Sequence, residues 1–239
     1  MSKNVLLTGG AGGIGSSVAQ KFIANGYEVY SIDLATADLG EHFHNEIADV
    51  TSLSQLSEVK EKLSGVRFDH IITLAGRAVD GEWEDFRQVN AELIEKSVRV
   101  NLTGHLNTIR VFYDALSNAP ERSCVTISSI NAFGGFELPI YSAAKAGLIG
   151  FTKTVCDQMA QDGVRINTIC FGTVVTPATE KEPKDFSELI KLTRNGRFVS
   201  REEAADEVYS LCVLKTDLNG AIIIADEGQM EKAHVKSAW

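Results

Sequence analysis

Tyr141 and Lys145, four residues apart in Tyr141-Ser142-Ala143-Ala144-Lys145, are the first place where the sequence offers chemistry. On a helix, residues i and i+4 project from one face, so this spacing sets a phenol beside an ammonium. A free tyrosine ionises at about pH 10, and a nearby cation favours the phenolate, moving the group toward the range in which it exchanges protons efficiently. Such a phenol serves as a general acid toward a carbonyl and as a general base toward an alcohol. The pattern alone recurs by chance, usually as a surface pair, so its location has to give it weight. The preceding segment ends in Ile127-Ser128-Ser129, at the carboxyl end of an expected central strand, the edge at which open α/β sheets bind ligands.

A second concentration of chemistry lies near the N-terminus. Thr8-Gly9-Gly10-Ala11-Gly12-Gly13-Ile14-Gly15 fits G-x-G-x-x-G through Gly10, Gly12 and Gly15, and T-G-x-x-x-G-x-G through Gly9, Gly13 and Gly15. In either register, glycines permit a tight turn and let backbone N–H groups and a helix N-terminus approach a pyrophosphate with no Cβ in the way. A strand before the loop and a helix after it supply the context that a dinucleotide site requires. Asp33 ends the second expected strand 20 residues after Gly13, where a carboxylate accepts hydrogen bonds from an adenosine ribose and repels a 2′-phosphate. Neither the glycine loop nor the residues just after Asp33 carry Arg or Lys, so NAD is expected ahead of NADP. A turn or cap aspartate is the plainer reading of Asp33 taken alone. Asp49-Val50 is a candidate neighbour of the adenine and Leu74-Ala75-Gly76 of the adenosine half, although Asp49 or Thr51 could equally cap the following helix.

These residues need elements to hold them. Short Val- and Ile-rich runs alternate with longer segments of helical period, the pattern of a parallel sheet covered on both faces. The expected fold is α/β, a Rossmann-like doubly wound parallel sheet of about seven strands, at residues 5–8, 28–32, 44–48, 70–74, 123–128, 165–170 and 221–225. Helices are expected over 13–25, 53–63, 93–116, 140–161 and 201–214; in the first, Ile14, Val18 and Phe22 form one packing stripe and Gly26 is placed for a C-cap. The polar stretch 176–200, with Pro177, Pro183 and Gly196, reads as a substrate flap or as a plain surface connection.

Composition bounds the answer from outside. With 239 residues, 44% apolar, the chain fits one globular domain spanning 1–239, and disorder or collagen-like repetition is excluded. Lys and Arg total 23 against 32 Asp and Glu, a net charge of -9, and no basic cluster tracks a phosphate backbone, so nucleic acid is not an expected partner. No run approaches the ~18 apolar residues of a membrane span and no signal sequence is evident, so a cytoplasmic protein without membrane attachment is expected. Cys124, Cys156, Cys170 and Cys212 sit singly in apolar segments and read as reduced thiols. His42 and His44 flank Phe43 near Glu41 and Glu46, but no third ligand has metal-site spacing, and no metal is expected. Trp83 and Trp239 suit packing as well as substrate contact, and the acidic run 80–85 reads most simply as a solvated loop.

Taken in order, Thr8 to Gly15, Asp33, Asp49, Ala75-Gly76, Asn101, Ser128-Ser129, Tyr141 with Lys145, and Gly172 to Thr176 resemble the short-chain dehydrogenase/reductase family in its compact single-domain form, over almost the full length. The resemblance implies an oxidoreductase that interconverts a secondary alcohol and a ketone as its small-molecule substrates. Tyr141 is then the proton donor or acceptor, Lys145 holds the nicotinamide ribose and depresses the tyrosine, Ser129 hydrogen-bonds the substrate oxygen, and Asn101 anchors a water relay to Lys145. Ser128 remains the alternative to Ser129, because the segment to Tyr141 is one residue shorter than usual. Thr8, Gly9, Gly13, Ile14, Gly15, Asp33, Asp49, Val50, Ala75 and Gly76 would line the nucleotide, while Gly172, Val174 and Thr176 would hold the carboxamide. Phe171 replaces the family's proline, Thr73-Leu74 an asparagine pair, and Asp226-Glu227-Gly228 a D-G-G, so no substrate is carried over. A homodimer or homotetramer is expected through the long helices. Two rivals are a nucleotide-sensing protein without catalysis and a nucleotide-sugar epimerase or dehydratase.

Overall fold

Seven runs rich in β-branched and apolar residues form strands β1 (Lys3–Thr8), β2 (Tyr27–Asp33), β3 (Phe43–Ile47), β4 (His70–Thr73), β5 (Ser123–Ser129), β6 (Arg165–Phe171) and β7 (Ile222–Ala225) in the computed structural model. It describes residues 3–82, 85–116, 121–134, 137–176 and 186–231. The strands pair in parallel in the order β3-β2-β1-β4-β5-β6-β7. Chain direction across the sheet reverses between β1 and β4, so their carboxyl ends diverge and leave a crevice there. Every expected strand is present, displaced by a residue or two at its ends.

Helices α1 (Gly13–Ala24), α2 (Leu53–Lys62), α3 (Ala91–Val98), α4 (Gly104–Phe112), α5 (Pro139–Gln161), α6 (Ser187–Ile190) and α7 (Arg201–Tyr209) cover the two faces. Alternation along each strand divides the core. Val5 and Leu7 pack with Val18 and Phe22 of α1 and Val208 of α7, whereas Leu6 points to the layer of Leu56, Ile109, Phe112 and Met159. All these side chains are buried, each contributing about 1.5–3 kcal/mol of apolar burial.

The expected helix 93–116 is instead interrupted. It starts at Ala91, opens into a π turn over Arg99–Thr103 and resumes as α4, ending in a 3-10 turn at Tyr113–Ala115. Hydrophobic period misses such a widening, whose cause is polar: the Asn101 side chain sits inside the fold and bonds across to another loop. The expected helix 201–214 likewise leaves the α form at Tyr209 and finishes as a π turn over Ser210–Leu214. Of the expected flap 176–200, residues 177–185 lie outside the described residues, as do Trp83 and Trp239; the remainder carries α6 and returns to the body where Val199 bridges Val174.

All four cysteines are free thiols, three of them buried and Cys156 half-buried. His42 and His44 both bond the Glu28 carboxylate, at 2.9 and 2.8 Å, and no group of metal-ligating side chains occurs among the described residues. Among them, too, no helix is long and apolar enough to cross a membrane.

Candidate active site

The carboxyl ends of β1, β4, β5 and β6 carry the polar residues singled out from sequence. The glycine loop leaves β1 at Thr8, whose buried hydroxyl accepts from the N–H groups of Leu74 (3.1 Å) and Ala75 (3.3 Å). Thr8 therefore supports the crevice through the turn after β4. Gly9 has φ +79, and a Cβ there would lie 2.9 Å from the Ala75 nitrogen. A Cβ on Gly15 would meet the Gly9 carbonyl oxygen at 2.0 Å, so only glycine lets α1 start this close to β1.

At the start of α1, Gly12 is the N-cap with no side-chain cap, and no acidic residue occupies the first turn. The first intrahelical acceptor is the Gly12 carbonyl, bonded by Ser16 N–H at 2.8 Å, so the amides of Gly13, Ile14 and Gly15 precede the helical ladder and face outward. An uncapped, glycine-lined helix start of this kind fits a pyrophosphate. Asp33 closes the loop from the other side: one carboxylate oxygen accepts from Ala11 N–H at 3.0 Å, the other from Ala35 N–H at 3.0 Å. Each oxygen accepts one of these bonds and keeps capacity for a second donor.

Asp49 forms a turn by accepting from Thr51 N–H (2.8 Å), and the cap of α2 is neither Asp49 nor Thr51 but Ser52. Val50 is buried under Gly104. Beside them a groove of about 460 Å³ is lined by Leu34, Asp49, Thr51, Arg77, Lys96 and Arg99, among others. Chain neighbours of Asp33 supply no cation, but the fold brings these three across from other elements, a juxtaposition that local sequence does not contain. A depression of about 400 Å³ over Phe68 and Phe112 lies instead at the amino ends of the strands, away from this chemistry.

Tyr141 occupies the first turn of α5. The chain reaches it through two non-glycine residues in the left-handed region, Glu137 (φ 47) and Leu138 (φ 53), followed by Pro139 at the helix start. Such residues cost about 1–2 kcal/mol each and persist where their surroundings impose them. One turn on, Lys145 is 3% exposed; its Nζ donates to the Ile127 carbonyl of β5 at 2.9 Å and stands 5.6 Å from the centroid of the Tyr141 ring. The pair shares a face, as its spacing predicts.

The electrostatics differ from the expectation that the amine lowers the phenol. Burial raises Tyr141 to about 12 against a hydrogen bond from Ser129 that pulls it down, while the charges of Glu82 and Cys170 add to the rise. Burial also drives Lys145 down to about 7, so the amine is only partly charged at neutral pH and its leverage on the phenol is small.

The two serines separate cleanly. Ser128 Oγ donates to the Lys145 carbonyl at 2.9 Å inside the protein, fixing α5 to β5. Ser129 Oγ donates to Asn131 Oδ1 and accepts from Asn131 N–H, both at 3.2 Å, and its hydroxyl is the group that pulls the Tyr141 phenol down. Asn101 is fully buried: Oδ1 accepts from Arg77 N–H (2.9 Å), and Nδ2 donates to the carbonyls of Arg77 (2.8 Å) and Ser97 (3.1 Å). Its side chain clamps the loop after β4. A Cβ on Gly76 would lie 2.8 Å from Asn101 Oδ1 and 3.3 Å from Lys145 Nζ, so this loop passes directly over the amine.

Gly172 packs on Asp226 and Gln229, where a Cβ would approach within 2.8 and 2.9 Å. Gln229, buried, accepts from Thr173 N–H at 3.0 Å and so supports the segment leading to Val174 and Thr176. Val174 is itself buried, leaving its backbone and Thr176 as the groups that could meet a ligand.

Three residues were not singled out as site groups. Gln229 is one. His105, one turn beyond Asn101, is 1% exposed; its Nδ1 pairs with Thr73 Oγ1 at 2.9 Å, its Nε2 has no hydrogen-bond partner, and burial with the Lys145 charge holds it well below its usual range. Its four-residue spacing from Asn101 was the available signal. Glu82, 1% exposed, departs from the solvated reading of 80–85, whereas Asp80 and Asp85 are exposed as expected.

Comparison with known proteins agrees with this arrangement. A family model described as short chain dehydrogenase matches residues 3–186. Dehydrogenase/reductase SDR family member 6 of Rattus norvegicus is 28% identical over 241 residues, covering 95% of this chain and 96% of its own. A solved oxidoreductase of the short chain dehydrogenase/reductase family from Burkholderia thailandensis superposes with a TM-score of 0.87 at 27% identity, covering 99% of this chain and 96% of that one. ElxO, solved with NADP bound, has the same fold, with a TM-score of 0.87 at 24% identity over 97% of this chain and 100% of that one.

Proposed function

We propose, since the chain belongs to the short chain dehydrogenase family, whose members are NAD(P)-dependent oxidoreductases, that it interconverts a secondary alcohol and a ketone with Tyr141 as the proton-transferring group. The observation that carries this reading is the buried Lys145 amine 5.6 Å from the centroid of the Tyr141 ring on one face of α5, at the carboxyl end of β5 that carries Ser129 and beneath the Gly76 loop. When bound, the nicotinamide coenzyme supplies the hydride or accepts it.

The chain's own residues do the rest. The amides at the start of α1 hold the pyrophosphate, and Asp33 accepts hydrogen bonds from the adenosine ribose, which favours NAD; Arg77 is the cation to watch for NADP. Lys145 donates to the nicotinamide ribose from the floor of the crevice. Ser129 donates to the substrate oxygen, where negative charge develops, and Tyr141 gives that oxygen its proton or takes it back. Raised by burial, the phenol carries its proton throughout the neutral range and has it to give to a substrate oxygen. Asn101 serves by fixing Gly76 and Arg77 over Lys145.

Reduction of a ketone panel followed at 340 nm, with NADH and NADPH in parallel, tests the reading. Tyr141→Phe is expected to lower turnover about 10²- to 10⁴-fold while NADH binding, read by fluorescence, is retained. Near-wild-type turnover in that variant would falsify the assignment. The partly buried apolar side chains Leu106, Phe151 and Val155 on α4 and α5 support association through this face into a homo-oligomer. A light-scattering mass of about one chain, 25.9 kDa, contradicts that.

A further inference from the structure

Glu227 holds a backbone conformation that a side chain disfavours. Its φ of 55 lies in the left-handed region, where glycine would stand without strain. The strained residue ties down a segment from elsewhere in the chain. Its carbonyl accepts from Arg194 N–H at 2.6 Å, and its carboxylate accepts from Asn195 Nδ2 at 2.7 Å and from Arg197 Nη2 at 2.9 Å. Arg197 carries the contact onward, because its two terminal nitrogens also meet the two Glu203 oxygens at 2.7 and 2.8 Å. Glu203 in turn closes the capping box with Ser200 that starts α7. Arg197 and Glu203 are about half exposed, and ion pairs so placed add little to stability. The network therefore gives the fold a fixed position more than it gives it free energy.

The turn that carries Glu227 also grips the segment leading into the site. Gly172 packs on Asp226 and Gln229, and Gln229 holds Thr173 twice, accepting from its N–H at 3.0 Å and donating to its hydroxyl at 3.2 Å. The two gripped segments meet each other as well: Val174 bridges Val199, and Val175 N–H donates to the Val199 carbonyl at 3.2 Å. One turn, 226–229, thus clamps 172–173 through neutral contacts and 194–197 through Glu227. We propose that Glu227 is a positioning residue for the nicotinamide half of the coenzyme: through Asn195 and Arg197 it places Val199, and Val199 places the Val174 backbone and Thr176 against the carboxamide. This rests on the reading of Gly172 to Thr176 as the carboxamide-holding segment. The two Glu227 oxygens are engaged by Asn195 and Arg197, so the residue acts through them. Other elements, the start of α1 and Asp33, serve the adenosine and pyrophosphate, so the clamp bears on one half of the coenzyme only.

The test compares the binding of NADH with that of ADP-ribose, which has the same adenosine and pyrophosphate but no nicotinamide, by calorimetry on the full chain. NADPH and 2′-phospho-ADP-ribose form the matching pair should the chain prefer the phosphorylated coenzyme. Glu227→Gly, which removes the carboxylate and the strain together, is expected to weaken NADH about tenfold, the scale of one lost hydrogen bond, and to leave ADP-ribose within about twofold of the wild type. Raising NaCl from about 0.05 to about 0.5 M screens the Arg197 pairs and should narrow the wild-type preference for NADH over ADP-ribose, a ratio from which the shared pyrophosphate cancels. That ratio should be indifferent to salt in Glu227→Gly. Glu227→Gln, which keeps the length and loses the charge, supplies the same comparison where the glycine variant fails to fold. Unchanged NADH binding in the variants, a parallel loss of ADP-ribose, or a salt-independent ratio in the wild type overturns the assignment. Turnover that is insensitive to Tyr141→Phe instead removes the proposed function and leaves these binding ratios as they are.

Discussion

Burying an amine without a carboxylate beside it leaves a thermodynamic trace that can be read apart from catalysis. Lys145 is 3% exposed, and burial lowers it from 10.5 to about 7. Between these values the unfolded chain binds a proton that the folded chain does not, so folding stability rises with pH by up to about 1.4 kcal/mol per unit. From pH 7 to 8.5 this group alone is expected to add on the order of 1–2 kcal/mol, since it is half-charged at the lower limit and neutral at the upper. The window is otherwise quiet. The buried histidines His70 and His105 are held below it, and the buried thiols Cys124, Cys170 and Cys212, pushed upward by burial, begin to oppose the trend only where unfolded thiols ionise, at about pH 8.5. Urea melts at half-unit intervals give the slope, and Lys145→Met, which keeps the volume and discards the charge, should flatten it while raising stability at pH 7. A wild type as stable at pH 7 as at 8.5, or a Lys145→Met variant with an unchanged slope, would show that the amine is not desolvated as the structure has it.

Three other outcomes follow from named contacts. Gly15→Ala places a Cβ 2.0 Å from the Gly9 carbonyl oxygen, backbone against backbone; thermal melts should show a loss of about 1–3 kcal/mol, and NADH binding should weaken more than the stability loss explains, because the amides at the start of α1 are displaced. Ser128→Ala removes the bond to the Lys145 carbonyl and should cost about 1 kcal/mol in urea melts, whereas Ser129→Ala should spare stability, lower kcat and move the Tyr141 limb of the pH–rate profile upward, since its hydrogen bond pulls that phenol down; equal effects of the two changes would contradict their separation. His70, buried against Ser123 Oγ at 2.9 Å and lowered to about 3, contributes stability that is complete above about pH 6.5 and lost as pH falls toward 3; His70→Asn should reduce the acid sensitivity of the melting temperature over that window.

What the sequence discloses, and what it hides, divides along the range of the interactions. The seven strands and the helix faces are legible because period is a local property: Leu6 and Leu7 alternate between two cores whatever lies far away. The glycine loop is legible too, since a strand, a turn and a helix start are contiguous. The π turn at Arg99–Thr103 is not, because its cause is Asn101 reaching Arg77, 24 residues away. The distinction between Ser128 and Ser129 depends on which of two adjacent hydroxyls meets α5, a matter of pleat and register at Ser128–Cys170 and Ser129–Phe171. The phenol's pKa is the instructive miss. Spacing correctly brings the amine to the phenol, but it says nothing of solvent, and desolvation acts on both groups, weakening the cation that was meant to do the work.

The buried polar atoms that have no partner sort the site from its scaffold. Ser128, Asn101, Thr8, Gln229 and His70 are buried and bonded, and each ties one segment to another. Among the described residues the buried side-chain atoms left unpaired are Asn4 Oδ1, Ser31 Oγ, Asn45 Oδ1, both Glu82 oxygens and His105 Nε2. Ser31 Oγ lies under the glycine loop, where a Cβ on Gly10 would meet it at 2.4 Å, and His105 Nε2 stands beside Gly76. Four of these six atoms therefore border the crevice or the loop over it. A chance distribution of packing faults has no reason to favour one edge of the sheet, and each unpaired group costs about 1–3 kcal/mol that a stabler sequence would recover. Their concentration at the carboxyl ends of the strands marks the edge where the glycine loop, the Gly76 turn and the buried Lys145 amine meet, the part of the fold in which packing is subordinate to the site.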